Sequence, residues 1–307
     1  MIFFVCGEEN TWSGNVVTDF AYYPKSAYVT GDLHFAPITG PFSGVEGRVT
    51  GNIQYKIPTP FGDNPLVSGN SFRIGGFLEF SPVSLASGFS FSFSPIAFLD
   101  FSAGASMGTG WDFIGLHGMA TYNPVSKEYD VITPFTAYRY DLWAQGLFQF
   151  DLAALVPGEW NHVVTVASFK IQNIGLTKGS DDGNPWMYQT IGEQVNGLKY
   201  YSSIILGYQM PLLLQTIGVQ TEFEGYFDSD NYNEAYSAMK GDFCKISISP
   251  VAILEFSPTD SLIIQPSFSS RRSFSETQSI AAQGLLLTYA GREWFFNRLA
   301  LRYTHKF

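Results

Sequence analysis

The residues best suited to chemistry in this 307-residue chain are a serine held between two glycines and four scattered histidines. Gly104-Ala-Ser-Met-Gly108 has the G-x-S-x-G spacing of a nucleophile elbow, which needs a strand turning sharply into a helix so that the serine hydroxyl stands free. No helical period follows it. The tract sits instead in a run of small alternating residues, where glycines allow close packing or tight curvature, and Ser106 reads as a polar strand residue. His34, His117, His162 and His305 include no pair three or four apart, so the helical metal arrangement is missing. A zinc site would need ligands converging from separate strands. His162, beside Trp160 at the start of a strand, reads as an interface residue. We therefore expect no catalytic residue, no metal and no cofactor.

What remains is electrostatics and patterning. Asp+Glu 27 against Lys+Arg 17 gives a formal charge of -10, so the basic footprint that nucleic acid requires is absent. Charged residues are only 14% and aromatics 17%, against about 25% charged in ordinary soluble domains. A mean hydropathy of +0.04 excludes a disordered chain. The best charge-free window lies between Glu79 and Asp100, and Pro82, Pro95 and six serines interrupt it, so it cannot be a spanning helix. Alternating segments of about ten residues, separated by turns and rich in aromatics, are instead the signature of a transmembrane β-barrel.

The elements that would position these residues follow from a period of two, because successive strand side chains point to opposite faces. In 47–57, Val49, Gly51, Ile53, Tyr55 and Ile57 share one phase, and Arg48, Thr50, Asn52, Gln54 and Lys56 the other. Segments 87–94 and 138–151 alternate as clearly, with Trp143 and Leu147 as the apolar intruders in the polar phase of the second. Weaker alternation recurs at 29–35, 72–80, 101–111, 163–171, 198–210, 213–224, 243–249, 262–268, 278–289 and 299–307, and 16–23 or 113–122 could supply one more. The fold expected is all-β: one transmembrane antiparallel up-and-down barrel of 12 to 14 strands over 8–307, bacterial barrels using even numbers. Short connections at 95–99, 152–159, 211–213, 251–260 and 291–293 are assigned to the periplasm, and long polar ones at 172–185 and 227–241 to the outside. The thrice-repeated Phe77-Leu-Glu-Phe-Ser-Pro, Phe98-Leu-Asp-Phe-Ser and Ile253-Leu-Glu-Phe-Ser-Pro reads as an amphipathic turn at a sheet edge. Residues 1–7, apolar and then Val5-Cys6-Gly7, read as the remnant of a secretory signal. If that remnant is removed, Cys244 alone remains and no internal disulfide forms.

The last strand sets Leu299, Leu301, Tyr303 and Phe307 in one phase, against Arg302, Thr304 and Lys306. It resembles the C-terminal signal by which outer-membrane barrels are handed to their assembly machinery, with His305 and Arg302 departing from the usual pattern. The tract 149–164, Gln-Phe-Asp-Leu-Ala-Ala-Leu-Val-Pro-Gly-Glu-Trp-Asn-His-Val-Val, with Leu206-Gly-Tyr-Gln-Met-Pro, resembles spirochaete outer-membrane barrels of unestablished function. These resemblances imply the bacterial outer membrane, reached by secretion through the inner membrane, with lipid and the barrel assembly machinery as partners.

In such a barrel the polar phase faces the lumen, since a charge at the bilayer midplane costs about 2–4 kcal/mol. Arg48, Lys56, Arg73, Arg139, Asp141, Lys170, Lys199, Glu222, Glu224, Lys245 and Arg302 are the expected pore-lining residues. They either neutralise one another in a filled barrel or set a field across a water-filled channel. The first function expected is a passive, porin-like pore for small hydrophilic solutes. The second is a surface structural or adhesion protein whose barrel is an anchor and whose acidic loops bind a partner. A soluble β-sandwich would also alternate, but the aromatic excess and low charge argue against it.

Overall fold

The polar-apolar alternation of 47–57 closes into a continuous wall because eleven other segments share it. The computed structural model describes residues 11–59, 64 and 66–307; the expected signal remnant at 1–7 lies outside them. Twelve long strands follow one another: β1 (Thr11–Ser26), β2 (Ile38–Pro58), β3 (Ser71–Ser81), β4 (Ser84–Ile96), β5 (Leu99–Gly110), β6 (Arg139–Asp151), β7 (His162–Leu176), β8 (Gly197–Gln209), β9 (Leu214–Tyr226), β10 (Lys245–Glu255), β11 (Asp260–Phe274) and β12 (Tyr289–Lys306). Each pairs antiparallel with the next, and β12 returns to β1 from Asn15–Lys306 to Tyr22–Leu299. Closure leaves no open edge. Thr11, Phe307 and the connections 97–98, 152–161, 210–213 and 256–259 lie at one end, the periplasmic one in the expected topology, and 111–138, 177–196, 227–244 and 275–288 at the other, extracellular in that topology.

Four expectations are corrected. Segment 29–35 is not a barrel strand; it crosses the rim as a strap, of which only His34 and Phe35 pair, parallel, with Glu293 and Trp294 of β12. No turn occurs at 291–293, which lie inside β12. Gly291 is there because the strap comes so close that a Cβ would stand 2.1 Å from Asp32 Oδ1. Segment 278–289 is mostly loop, since Gln278 donates to the carbonyls of Ile280 and Ala281 and Gln283 Oε1 accepts from the Ser279 amide at 2.8 Å, local bonds that compete with a ladder. Residues 16–23 do belong to a strand, β1, whereas 113–122 form pieces of an extracellular loop. The connection expected at 251–260 narrows to 256–259, because β10 runs on to Glu255.

The outer face carries Ile53, Leu78, Phe89, Leu142 and Leu206, each with more than half its surface uncovered. A continuous apolar belt of this kind belongs in lipid. Aromatic pairs mark its margins. Trp12 and Tyr55 meet at 4.8 Å near the periplasmic end, and Phe80, Trp111 and Phe135 follow one another at 6.2 and 6.5 Å near the other.

The extracellular loops fold on one another. Met119, Trp186, Val195, Met239 and Leu285 are fully buried, with Tyr122, Tyr188, Tyr232 and Tyr236 packed among them. Residues 119–123, 128–131, 186–188 and 191–194 form a small four-stranded sheet. Among the described residues these side chains form one apolar core, and this cap sits over the barrel mouth.

Burial raises the phenol pKa of Tyr232 above its ordinary 10.0, and burial with the nearby Glu193 carboxylate raises that of Tyr129. The native cap thus favours the neutral phenols more than an opened cap does. Their contribution is complete below pH 10.0 and is withdrawn as the pH rises above it. Protease digestion across pH 8 to 12 should show the cap loosening at the alkaline end while the barrel keeps its folded gel mobility; a cap equally protected throughout would contradict this.

Candidate functional site

Strand register sets the inward face. Asp19 of β1 lies between Arg48 of β2 and Arg302 of β12. Arg48 donates Nε to Asp19 Oδ2 at 2.8 Å, Arg302 donates Nε to Asp19 Oδ1 at 2.6 Å, and Arg48 Nη1 stands 3.6 Å from Glu79 Oε2. Tyr23 donates to Glu46 Oε2 at 2.8 Å beside Arg298. Lower on the wall Arg73 pairs with Asp100, and Ser94 donates to the same carboxylate at 2.7 Å.

On the facing wall Arg139 holds Asp141 at 3.1 Å and Lys199 holds Glu224 at 2.7 Å. Tyr201 donates to Glu222, and Lys170 Nζ lies 5.9 Å from the Tyr201 ring centre. Lys245 stands opposite Glu224 and Lys56 opposite Arg73 in the strand register. All eleven residues expected from the polar phase therefore share the inward phase, in two groups on facing walls rather than one cluster. Asp19, Glu46, Glu79 and Asp100 were missed, although Glu46 and Glu79 share strand and parity with Arg48 and Arg73, already chosen; Asp19 and Asp100 lie on strands with no chosen residue and are placed inward by the register. Arg271 was missed as well. It pairs with buried Glu293 at 2.7 Å and lies 4.1 Å from the Tyr28 ring centre, under the strap.

Pairs as accessible as Arg48 and Arg302 with Asp19 contribute about 0–1 kcal/mol each, so they arrange the lumen more than they stabilise it. Arg48 and Arg302 keep 41% and 49% of their side-chain surface uncovered, so open space reaches the middle of the barrel. Eight strands are filled by side chains, and twelve enclose a wider lumen.

The glycines of the serine tract find a different use. Trp143 points inward from β6 and lies over Gly104, where a Cβ would come within 2.7 Å of its indole. Gly108 similarly leaves room for Tyr188, whose hydroxyl would meet a Cβ at 2.3 Å. Ser106 sits opposite Asp141 in the ladder. Replacing Gly104 by Ala should drive the indole off the wall and cost about 1–3 kcal/mol; unchanged thermal stability and Trp fluorescence would refute that packing.

Each histidine faces a carboxylate: His34 with Glu293 at 3.3 Å, His117 with Asp112 at 3.0 Å, His162 with Asp151 at 2.6 Å and His305 with Asp260 at 2.8 Å. Ser257 also donates to Asp260, at 2.6 Å, so serine and histidine share a carboxylate without touching, which is not a nucleophile-base pair. Among the described residues no group of three or more His, Cys, Asp or Glu is placed to hold a metal.

The mouth is crossed by the hairpin of residues 186–188 and 191–194. Its turn residues, Gln189 and Thr190, have φ of 51° and 66°, the left-handed pair of a type I′ turn formed without glycine. Gln189 Nε2 donates to Glu79 Oε1 and Ser84 Oγ, both at 2.8 Å, and Thr190 donates to Glu46 Oε1 at 3.1 Å. A loop anchored between β7 and β8 thus reaches carboxylates on β2 and β3. Its base is stapled by tyrosines: the Tyr129 hydroxyl accepts from the Glu193 amide at 2.7 Å, Tyr232 donates to the Glu193 carbonyl at 2.7 Å, and Tyr226 both accepts from and donates to the backbone of Val195 at 2.9 Å.

No family model and no curated protein matches the chain. Solved structures do. An outer membrane channel from Pseudomonas putida F1 is 12% identical with a TM-score of 0.45, covering 98% of this chain and 97% of its own. The beta domain of the Bordetella autotransporter BrkA is 8% identical with a TM-score of 0.45, covering 95% and 98%. The KdgM porin is 8% identical with a TM-score of 0.39, covering 96% and 99%. What they share with this chain is the barrel.

Proposed function

We propose that the chain is a passive, porin-like pore of the bacterial outer membrane whose extracellular mouth is narrowed by its own folded loops. The observation that carries this is the half-uncovered Arg48 and Arg302 in a twelve-stranded lumen, which leaves an aqueous path for small hydrophilic solutes. In this reading 1–7 is a signal removed after passage through the inner membrane, 8–307 is one barrel domain, and the eleven inward charges line the pore. Leu299, Leu301 and Tyr303, on the lipid-facing phase of β12, and Phe307, bonded through its backbone to Gly14 at 3.0 and 3.2 Å, are read by the assembly machinery. The likeness of 149–164 to spirochaete outer-membrane barrels supports the same location.

The four extracellular loops hold eleven acidic against three basic residues, so most of the net charge lies at the mouth and the lumen is nearly balanced. A mouth of that sign concentrates cations. Refolded protein in a planar bilayer should give steps of fixed size, with a reversal potential in a salt gradient showing a modest cation preference that fades at high salt. Protein that inserts and stays silent would refute the pore. The cap core favours a second reading, a barrel-anchored surface protein whose acidic loops bind a partner, and the silent outcome would select it.

A further inference from the structure

The seams of the barrel are not equivalent. Between β7 and β8 the ladder runs unbroken through thirteen residue pairs, and even the closing seam of β1 with β12 has eight in succession. Between β10 and β11 there are six: Ser247–Ser269 and Ile248–Phe268, then none until Ala252–Ile264. The register is the same on both sides of the gap, so no bulge accounts for it. At its centre Pro250 faces Pro266, and proline has no N–H to give. Pro250 keeps its pairing with Val219 on β9, and Pro266 keeps its pairing with Leu299 on β12. Both missing donors therefore fall on the one seam between them. Proline in a sheet is confined to edges and bulges, and here two strands meet with edge-like sides toward each other.

What spans the gap is side chains. On the lumen side Ser249 donates to Ser267 at 3.0 Å within the gap, and Ser247 meets Ser269 at 2.8 Å in the ladder at its margin, all four residues buried. Gln265 donates to Gln220 at 3.0 Å, and Gln220 to Ser203 at 3.1 Å. On the lipid side the same stretch borders an apolar groove of about 710 Å³ lined by Leu206, Ile217, Val219, Pro250, Ile264 and Pro266. In hydrocarbon an unbonded backbone group is costly, so a break at this depth, backed by a groove open to the acyl chains, is a specific feature of the wall.

We infer that the β10–β11 seam is a lateral opening, through which an apolar or single-chain amphipathic molecule passes between the lumen and the bilayer. Parting it breaks two serine pairs and the short ladders above and below, fewer backbone bonds than any neighbouring seam would lose. The groove receives the molecule on the lipid side. The inference rests on the barrel lying in lipid and not on its conducting ions.

The test uses the full chain in lipid vesicles with Cys6 and Cys244 replaced by Ser, and a lumen-facing cysteine introduced as Ser249→Cys. Ser203→Cys, inward on β8, is the control. A lipid-soluble pyrene maleimide should label Ser249→Cys at least tenfold faster than the control, whereas a charged thiosulfonate from the water phase should not discriminate in that way. Adding Pro250→Val with Pro266→Val restores two donors and should bring the lipid-phase rate down to the control, with folding checked by heat-modifiable gel migration. Equal labelling of the two cysteines by the lipid-soluble reagent, or a rate that the valine pair leaves unchanged, overturns the inference. A silent bilayer recording bears on the pore alone, so the two failures are distinguishable.

Discussion

Gln189→Ala with Thr190→Ala is expected to raise the open fraction of the pore roughly a hundredfold. The hairpin tip reaches Glu79 and Glu46 through one amide and one hydroxyl. Hydrogen bonds to charged groups contribute about 1.5–3 kcal/mol each. Losing both removes about 3 kcal/mol of latch energy, which is about two decades in the ratio of open to closed mouths. The left-handed backbone of the turn adds to the effect, since it is held only while its side chains are engaged. Single-channel recordings should show the gain as longer or more frequent openings at an unchanged reversal potential. If the parent protein conducts and the double variant opens no more often, the hairpin is not what limits the mouth.

Trp186→Ala should unfold the cap and leave the barrel standing. Trp186 is fully buried, and its Nε1 donates at 3.0 Å to Asn196 Oδ1, which also accepts from the Leu176 amide at 2.8 Å. Truncating a buried aromatic of this size costs about 3–5 kcal/mol, much of what a small loop core supplies. Protease should then cut within 111–138 or 177–196, whereas unheated protein keeps its folded migration, because the twelve-strand ladder is untouched. Protection of those loops equal to the parent's would contradict the view of the cap as one cooperative core. Together the two variants separate a mouth blocked by a few polar bonds from one blocked by a folded unit.

The barrel was legible because lipid on one side and water on the other impose a period of two that nothing local can disguise. It is why Arg48, Arg73 and Arg139 could be placed without a structure, and why Glu46 and Glu79 could have been. The strap and the loop of 278–289 were misread because short alternating stretches arise by chance in rim segments: what decided the strap was contact with a distant residue, Glu293 for His34, and what decided 278–289 was local bonding by Gln278 and Gln283 together with the burial of Leu285 in the cap core. The cap was opaque for the same reason. Its tyrosines and methionines come from three loops, with Leu285 from a fourth, whose spacing carries no period, and nothing in 186–194 announces a hairpin whose turn lacks glycine. The seam at Pro250 and Pro266 was present in the sequence as two prolines within strands. Only the register shows that they face each other.

The cap also dates the completion of the molecule. Its core joins Met119 and Trp186 to Met239 and Leu285, and Leu285 lies in the last loop, between β11 and β12. Contacts so distant in sequence form late, after the loops that separate them have closed. The final strand must therefore cross and seal against β1 before the fourth loop can reach its place. An unfinished barrel would carry three loops with their apolar sides uncovered, attractive to chaperones and open to proteases, and a protected cap would certify that the last strand has gone in.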